Sequence, residues 1–106
     1  MDGTRVLVTR YYPRGVKKTH FDLWLRDLSP EVTLLKEYRN KVLDWRGFST
    51  RFRRQLRTIP AAKEAMNKLV ELSRNHDVTI LCYEKEGENC HRNIVKSIVN
   101  RKLVRS

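Results

Sequence analysis

The sequence predicts an α/β domain with a small open, mainly parallel sheet flanked by helices. Two short runs rich in β-branched residues, RVLVTR at 5–10 and VTILCY at 78–83, lie towards opposite ends of the chain. The second is nearly continuous in apolar residues, as a strand covered on both faces is. Between the runs the apolar spacing turns helical, and strands separated by helices fit parallel pairing through crossovers. A chain of 106 residues builds one core, so a single domain over 1–106 is expected.

Taken in order, the first strand runs into the loop RYYPRGVKK at 10–18. Thr19 with Asp22 three positions later has the form of a helix cap and predicts a helix through HFDLWLRDL. Ser29 ahead of Pro30 predicts the next start, because proline at the first helical position loses no hydrogen bond, and this helix runs to about Asn40. Asp44 can cap a third helix whose Trp45, Phe48, Phe52 and Leu56 share one face. Arg46, Arg53, Arg54 and Arg57 fall on its other side. Pro60 opens a helix to about Arg74, with Ala62, Ala65, Met66, Leu69 and Leu72 inward. After the second strand, a last helix from about Cys90 buries Ile94, Val95, Ile98 and Val99.

Charge is the strongest global signal. Lys and Arg number 23 against 12 Asp and Glu, a formal net charge of +11 that attracts polyanions, nucleic acid above all. Hydrophobic residues at 40% and charged residues at 33% describe a folding chain, not a disordered tail. No apolar stretch is long enough to span a membrane, and MDGTRVLVTR lacks the form of a secretory leader, so no membrane partner and a cytoplasmic setting are expected. In that setting Cys82 and Cys90 are expected as thiols.

In open parallel sheets, sites form beyond the carboxyl ends of the strands. Here those ends carry RYYPRGVKK and CYEKEGENCHR (82–92). Asn89 suits a helix N-cap, which sets Cys90, His91 and Arg92 in the first turn, where free N–H groups favour an anion or a thiolate. Cys90 is thus a candidate reactive thiol or a small packing residue, and Cys82 reads as a core thiol. His91 precedes Ile94 and Val95 by three and four positions, which turns it towards the strand ends as an orienting residue or a proton carrier. Arg92 can fork onto a phosphate, and Glu84 either pairs with an arginine or acts as a general base. The Cys82, Cys90, His91 spacing lacks the compact pairs of zinc sites, so neither a metal nor another cofactor is expected. In the first loop, Arg10, Arg14, Lys17 and Lys18 interleave with Tyr11 and Tyr12, a pattern suited to a phosphate with a stacked base.

RVLVTRYYPRGVKK together with CYEKEGENCHR resembles the domain-of-unknown-function 488 family, in its short YeaO-like branch, from Gly3 to about Leu103. The resemblance implies a small α/β fold with the two loops adjacent. It carries Arg10, Pro13, Arg14, Cys82, Glu84, Cys90, His91 and Arg92 over as motif residues. Longer relatives begin with an additional strand, so this chain is expected to have a smaller sheet or one completed by a partner subunit at the sheet edge.

Three functions follow as expectations. One is an anion-binding pocket between the two loops, in which Arg10, Arg14 and Arg92 hold a nucleotide or nucleic-acid phosphate and Cys90, His91 and Glu84 supply any chemistry. Another is a non-catalytic nucleic-acid-binding protein that uses Arg46, Arg53, Arg54 and Arg57. The last is a thiol or redox protein in which Cys82 and Cys90 pair or Cys90 reacts alone.

Overall fold

A computed structural model of the chain describes residues 3–12, 15, 17–82 and 91–105. Its sheet has three strands, β1 (Thr4–Leu7), β2 (Leu23–Trp24) and β3 (Val78–Leu81), in the order β2-β1-β3 with both pairings parallel. Four helices complete it: α1 (Val32–Arg39), α2 (Trp45–Thr58), α3 (Pro60–Asn75) and α4 (His91–Arg105). The expected small, open parallel sheet flanked by helices is present.

The central strand explains the sequence of β1. Val6, Leu7 and Val8 are all fully buried, so consecutive residues on both faces are covered. Val6 and Val8 point to one face and join a cluster with Phe48, Phe52 and Leu56 of α2, Ala62, Met66 and Leu69 of α3, and Ile94, Val95 and Val99 of α4. The sheet starts under close approach. Thr4 N–H donates to the Asp77 carbonyl at 2.8 Å, and a Cβ on Gly3 would overlap that same peptide group.

One element, one helix start and the strand ends differ from the sequence reading. The stretch expected as a helix through HFDLWLRDL is instead a 3-10 turn at Lys18–His20, then β2, then a second 3-10 turn at Arg26–Leu28. The reason is long-range: Asp22 does not cap a helix with Thr19 but accepts the backbone N–H of Arg5 at 2.8 Å and faces its guanidinium at 3.3 Å. Those bonds tie the chain to β1 as a strand. Likewise α1 begins at Val32 and not at Pro30, because the Ser29 hydroxyl donates to the Arg26 carbonyl at 2.6 Å and closes the preceding turn. The strands are also shorter than 5–10 and 78–83, ending at Leu7 and Leu81.

Other signals act as read. Asp44 Oδ1 accepts the Gly47 N–H at 2.8 Å and caps α2, and Pro60 stands in the first turn of α3. Phe48, Phe52 and Leu56 are buried, with Trp45 stacked on Phe48 at 5.2 Å between ring centres.

The Arg5 contacts, side chain first and backbone second, hold the Asp22 carboxyl below its ordinary range. A carboxylate depressed in the folded state stabilises it above the ordinary carboxyl range and ceases to do so as pH falls through the lowered value. The melting temperature of the unmodified protein should therefore exceed that of Asp22→Asn at neutral pH, with the gap closing below about pH 4. A gap that ignores pH would mean that the charge of Asp22 contributes nothing to the tie between β1 and β2.

Candidate functional site

The carboxyl end of β1 is where the chain brings its polar groups together. His91, the first residue of α4, is only 5% exposed, and its Nε2 lies 2.8 Å from the Val8 carbonyl just past β1. A carbonyl oxygen can only accept, so Nε2 carries the proton and donates. The ring stands edge-on to Phe52 of α2, with centroids 5.7 Å apart at 86°. Cys82, one residue past β3, sets its sulfur 3.7 Å from Nδ1 of the same ring. One imidazole thus links the ends of two strands to two helices.

Above it, Arg10 leaves β1 and its Nε donates to the Pro30 carbonyl at 2.8 Å. Pro30 is itself gripped from α2. The buried Gln55 donates from Nε2 to the Ser29 carbonyl at 2.9 Å, and its Oε1 accepts the Glu31 N–H at 3.0 Å. The loop after β1 is pinned by Trp24, whose indole N–H donates to the Thr9 carbonyl at 2.7 Å. Tyr12 sits edge-on to Phe21 and Trp24, each 5.9 Å away.

These contacts frame a cleft of about 410 Å³ lined by Thr9, Arg10, Tyr11, Tyr12, Ser29, Pro30, His91 and one face of α1. That face presents Val32, Leu35, Lys36 and Arg39, at the spacing of one helix stripe. Three of the lining side chains, Arg10, Lys36 and Arg39, are cations, and none of those described is a carboxylate. Tyr11, Tyr12 and Val32 are exposed, at 63%, 40% and 38%, and all lie on this cleft. A wall of aromatic and apolar groups beside fixed positive charge can hold a flat ring and an anion together.

Among the sequence-derived site residues, Arg10 and His91 share this cleft. Arg92 does not. It is exposed, one step round α4 from His91, and lines a separate groove of about 450 Å³ with Lys96, His76 and the Asp77–Ile80 segment. That groove follows the outer edge of β3, which pairs with no strand among the described residues. Arg14, Glu84 and Cys90 lie outside the described residues, as does the motif residue Pro13. Arg46, Arg54 and Arg57 are exposed on α2 and Arg53 is half-buried. Among the described residues none of the four forms an ion pair, whereas Arg51 of the same helix pairs with Glu37 of α1. No third His, Cys, Asp or Glu among the described residues joins Cys82 and His91 in an arrangement that could hold a metal ion. No helix among them is long and apolar enough to cross a membrane.

Lys36, Arg39 and Gln55 escaped the sequence reading. The first two had a findable signal, since Val32, Leu35, Lys36 and Arg39 form an i, i+3, i+4, i+7 stripe that mixes apolar and basic groups. Gln55 had none, because its partners are 24 and 26 residues away.

Comparison with known proteins matches residues 1–103 to the family model described as the active DUF488-N3 subclade. The chain is 28% identical over 92 residues to the uncharacterized protein YeaO of Escherichia coli K12, covering 85% of this chain and 77% of that one. It is 26% identical over 101 residues to the uncharacterized proteins Mb3100c of Mycobacterium bovis and Rv3073c of Mycobacterium tuberculosis, covering 93% of this chain and 82% of each. No solved structure matches it significantly.

Proposed function

We propose that this chain, which belongs to the YeaO-like branch of the DUF488 family, binds the phosphate of a nucleotide or nucleic acid in the cleft at the carboxyl end of β1. The observation that carries the reading is the convergence of Arg10, Lys36 and Arg39 with Tyr11 and Tyr12 around the buried His91. Lys36 and Arg39 are the exposed cations of the α1 wall, while Arg10 is fixed through Pro30 and still has guanidinium N–H groups for a phosphate. The word "active" in the description of the matching subclade supports looking for turnover at this cleft. Residence in the cytoplasm and pairing of two copies along the outer edge of β3 are further parts of the proposal, the second supported by the strand order.

A thermal-shift series tests it, using inorganic phosphate, sulfate, mononucleotides and short oligonucleotides. A ligand at about 100 times its dissociation constant adds about 2.7 kcal/mol to the folded state, which is easily seen as a rise in melting temperature. The rise is expected with a mononucleotide and should vanish in Lys36→Ala/Arg39→Ala. No rise with any phosphate compound would sink the reading.

A second reading keeps a specific support: the exposed Arg46, Arg54 and Arg57, unpaired with any carboxylate among the described residues, form a basic face that suits a nucleic-acid backbone. It predicts a rise with oligonucleotides alone, lost in Arg53→Glu/Arg57→Glu and retained in the cleft variant.

A further inference from the structure

We propose that the meeting point of α2, α3 and α4 is a phosphate anchor for double-stranded nucleic acid, held through its backbone without regard to sequence. This extends the arginine-face reading and rests on it, but it is independent of the cleft at the end of β1, with which it shares no lining residue. Each helix contributes a cation: Arg57 from α2, Lys63 from α3 and Lys102 from α4. They surround a cavity of about 150 Å³ floored by Leu56, Met66 and Ile98, side chains of the core and its margin. No acidic residue among the described ones lines it; the exposed Glu64 next to Lys63 stays outside. An apolar floor keeps the local dielectric below that of water, so like charges gathered over it raise a concentrated positive field, which one anion relieves.

A row of charge singles out a polymer over a small anion. Arg46, Arg53 and Arg57 recur at i, i+7 and i+11 on α2, which sets them on one stripe about 16 Å long that ends at the cavity. A small anion meets only one end of that row, whereas a duplex carries one charge per ~1.7 Å of its axis. On the far side of the cavity, α4 contains no Asp or Glu along its whole length.

The choice of duplex over single strand follows from the aromatic residues. Proteins that track a single strand stack its bases on aromatic rings. No ring lines this cavity. Among the described residues the exposed Phe, Trp and Tyr side chains are Tyr11 and Tyr12, both on the cleft, and Trp45 beside Arg46 is half-buried and stacked on Phe48. Contacts here are thereby confined to phosphates, which carry no sequence information.

Fluorescence anisotropy of a short labelled DNA duplex, and of one of its strands alone, tests the anchor across a salt series. Lys63→Gln/Lys102→Gln, at two exposed positions, is expected to weaken duplex binding about tenfold at low salt and to reduce the slope of log affinity on log salt by about 0.9, the share of one phosphate. Lys68→Gln/Arg101→Gln removes the same charge from exposed positions of the same two helices outside the cavity and should change both far less. Equal weakening by the two variants would overturn the anchor and leave only net charge at work. Duplex binding lost in Arg53→Glu/Arg57→Glu but unchanged in Lys63→Gln/Lys102→Gln would keep the arginine face and remove the anchor from it. No retention of the duplex by the unmodified protein at low salt would remove both. Tighter binding of the single strand, or a large preference between duplexes of unrelated sequence, would contradict a contact made to the duplex backbone.

Discussion

Phe52→Ala is expected to lower the unfolding free energy by about 3–5 kcal/mol, the cost of deleting a large ring from a core that cannot fully close over the void. Phe52 is fully buried in the middle of α2, 6.0 Å from the ring of Phe48 and edge-on to His91. At roughly 4–8 °C per kcal/mol for a domain near this size, the melting temperature should fall by more than about 12 °C. Denaturant titration followed by tryptophan fluorescence measures the loss. Phe52→Leu, which refills part of the space, should recover about half of it. A loss below about 1 kcal/mol would contradict the position given to this ring, since only surface substitutions are so mild.

Gln55→Leu should cost about 2–3 kcal/mol, although it adds apolar surface to a buried position, because the Ser29 carbonyl loses its partner inside the protein. The Glu31 N–H is orphaned too, but it stands nearer to water. Gln55→Glu is the informative companion. It keeps an acceptor for Glu31 yet turns a carboxylate oxygen towards the Ser29 carbonyl. Burial and that repulsion raise the carboxyl's pKa above its unfolded value, so the variant should gain stability relative to the unmodified protein as pH falls and the acid becomes able to donate. Both variants should also weaken anion binding, since Gln55 holds the residues on either side of Pro30, whose carbonyl fixes Arg10. A Gln55→Leu protein of unchanged stability would show that these bonds exchange freely with water.

What was readable in the sequence was local. Asp44, Pro60 and the Phe48, Phe52, Leu56 stripe announce α2 and α3 because caps and helical periodicity are short-range effects. The orientation of His91 followed from its spacing to Ile94 and Val95. What could not be read depends on partners distant along the chain. β2 is two residues long, too short for any periodicity, and it exists as a strand because Asp22 and Leu25 bond to β1. Arg92 looks like a companion of His91 in the sequence, but adjacent residues on a helix diverge by about 100° and so enter different grooves. The cations that share the cleft with His91 come from α1, whose facing depends on how Pro30 is held.

The bond between His91 and the Val8 carbonyl joins residues 83 positions apart. β1 also pairs with β3 across most of the chain. A chain emerging from the ribosome therefore releases its central strand early and, although β2 follows soon after, must leave the edge that β3 will occupy unpaired while three helices are made. Loop closure over such a separation is slow, and folding rates fall as contacts become less local. During that interval Val6, Leu7 and Val8 belong to an apolar strand with one open edge, the kind of segment that invites mispairing. The cleft is consequently the last part of the molecule to exist: α2 and α3 can pack before it, but no cavity at the end of β1 is complete until α4 has delivered its first residue.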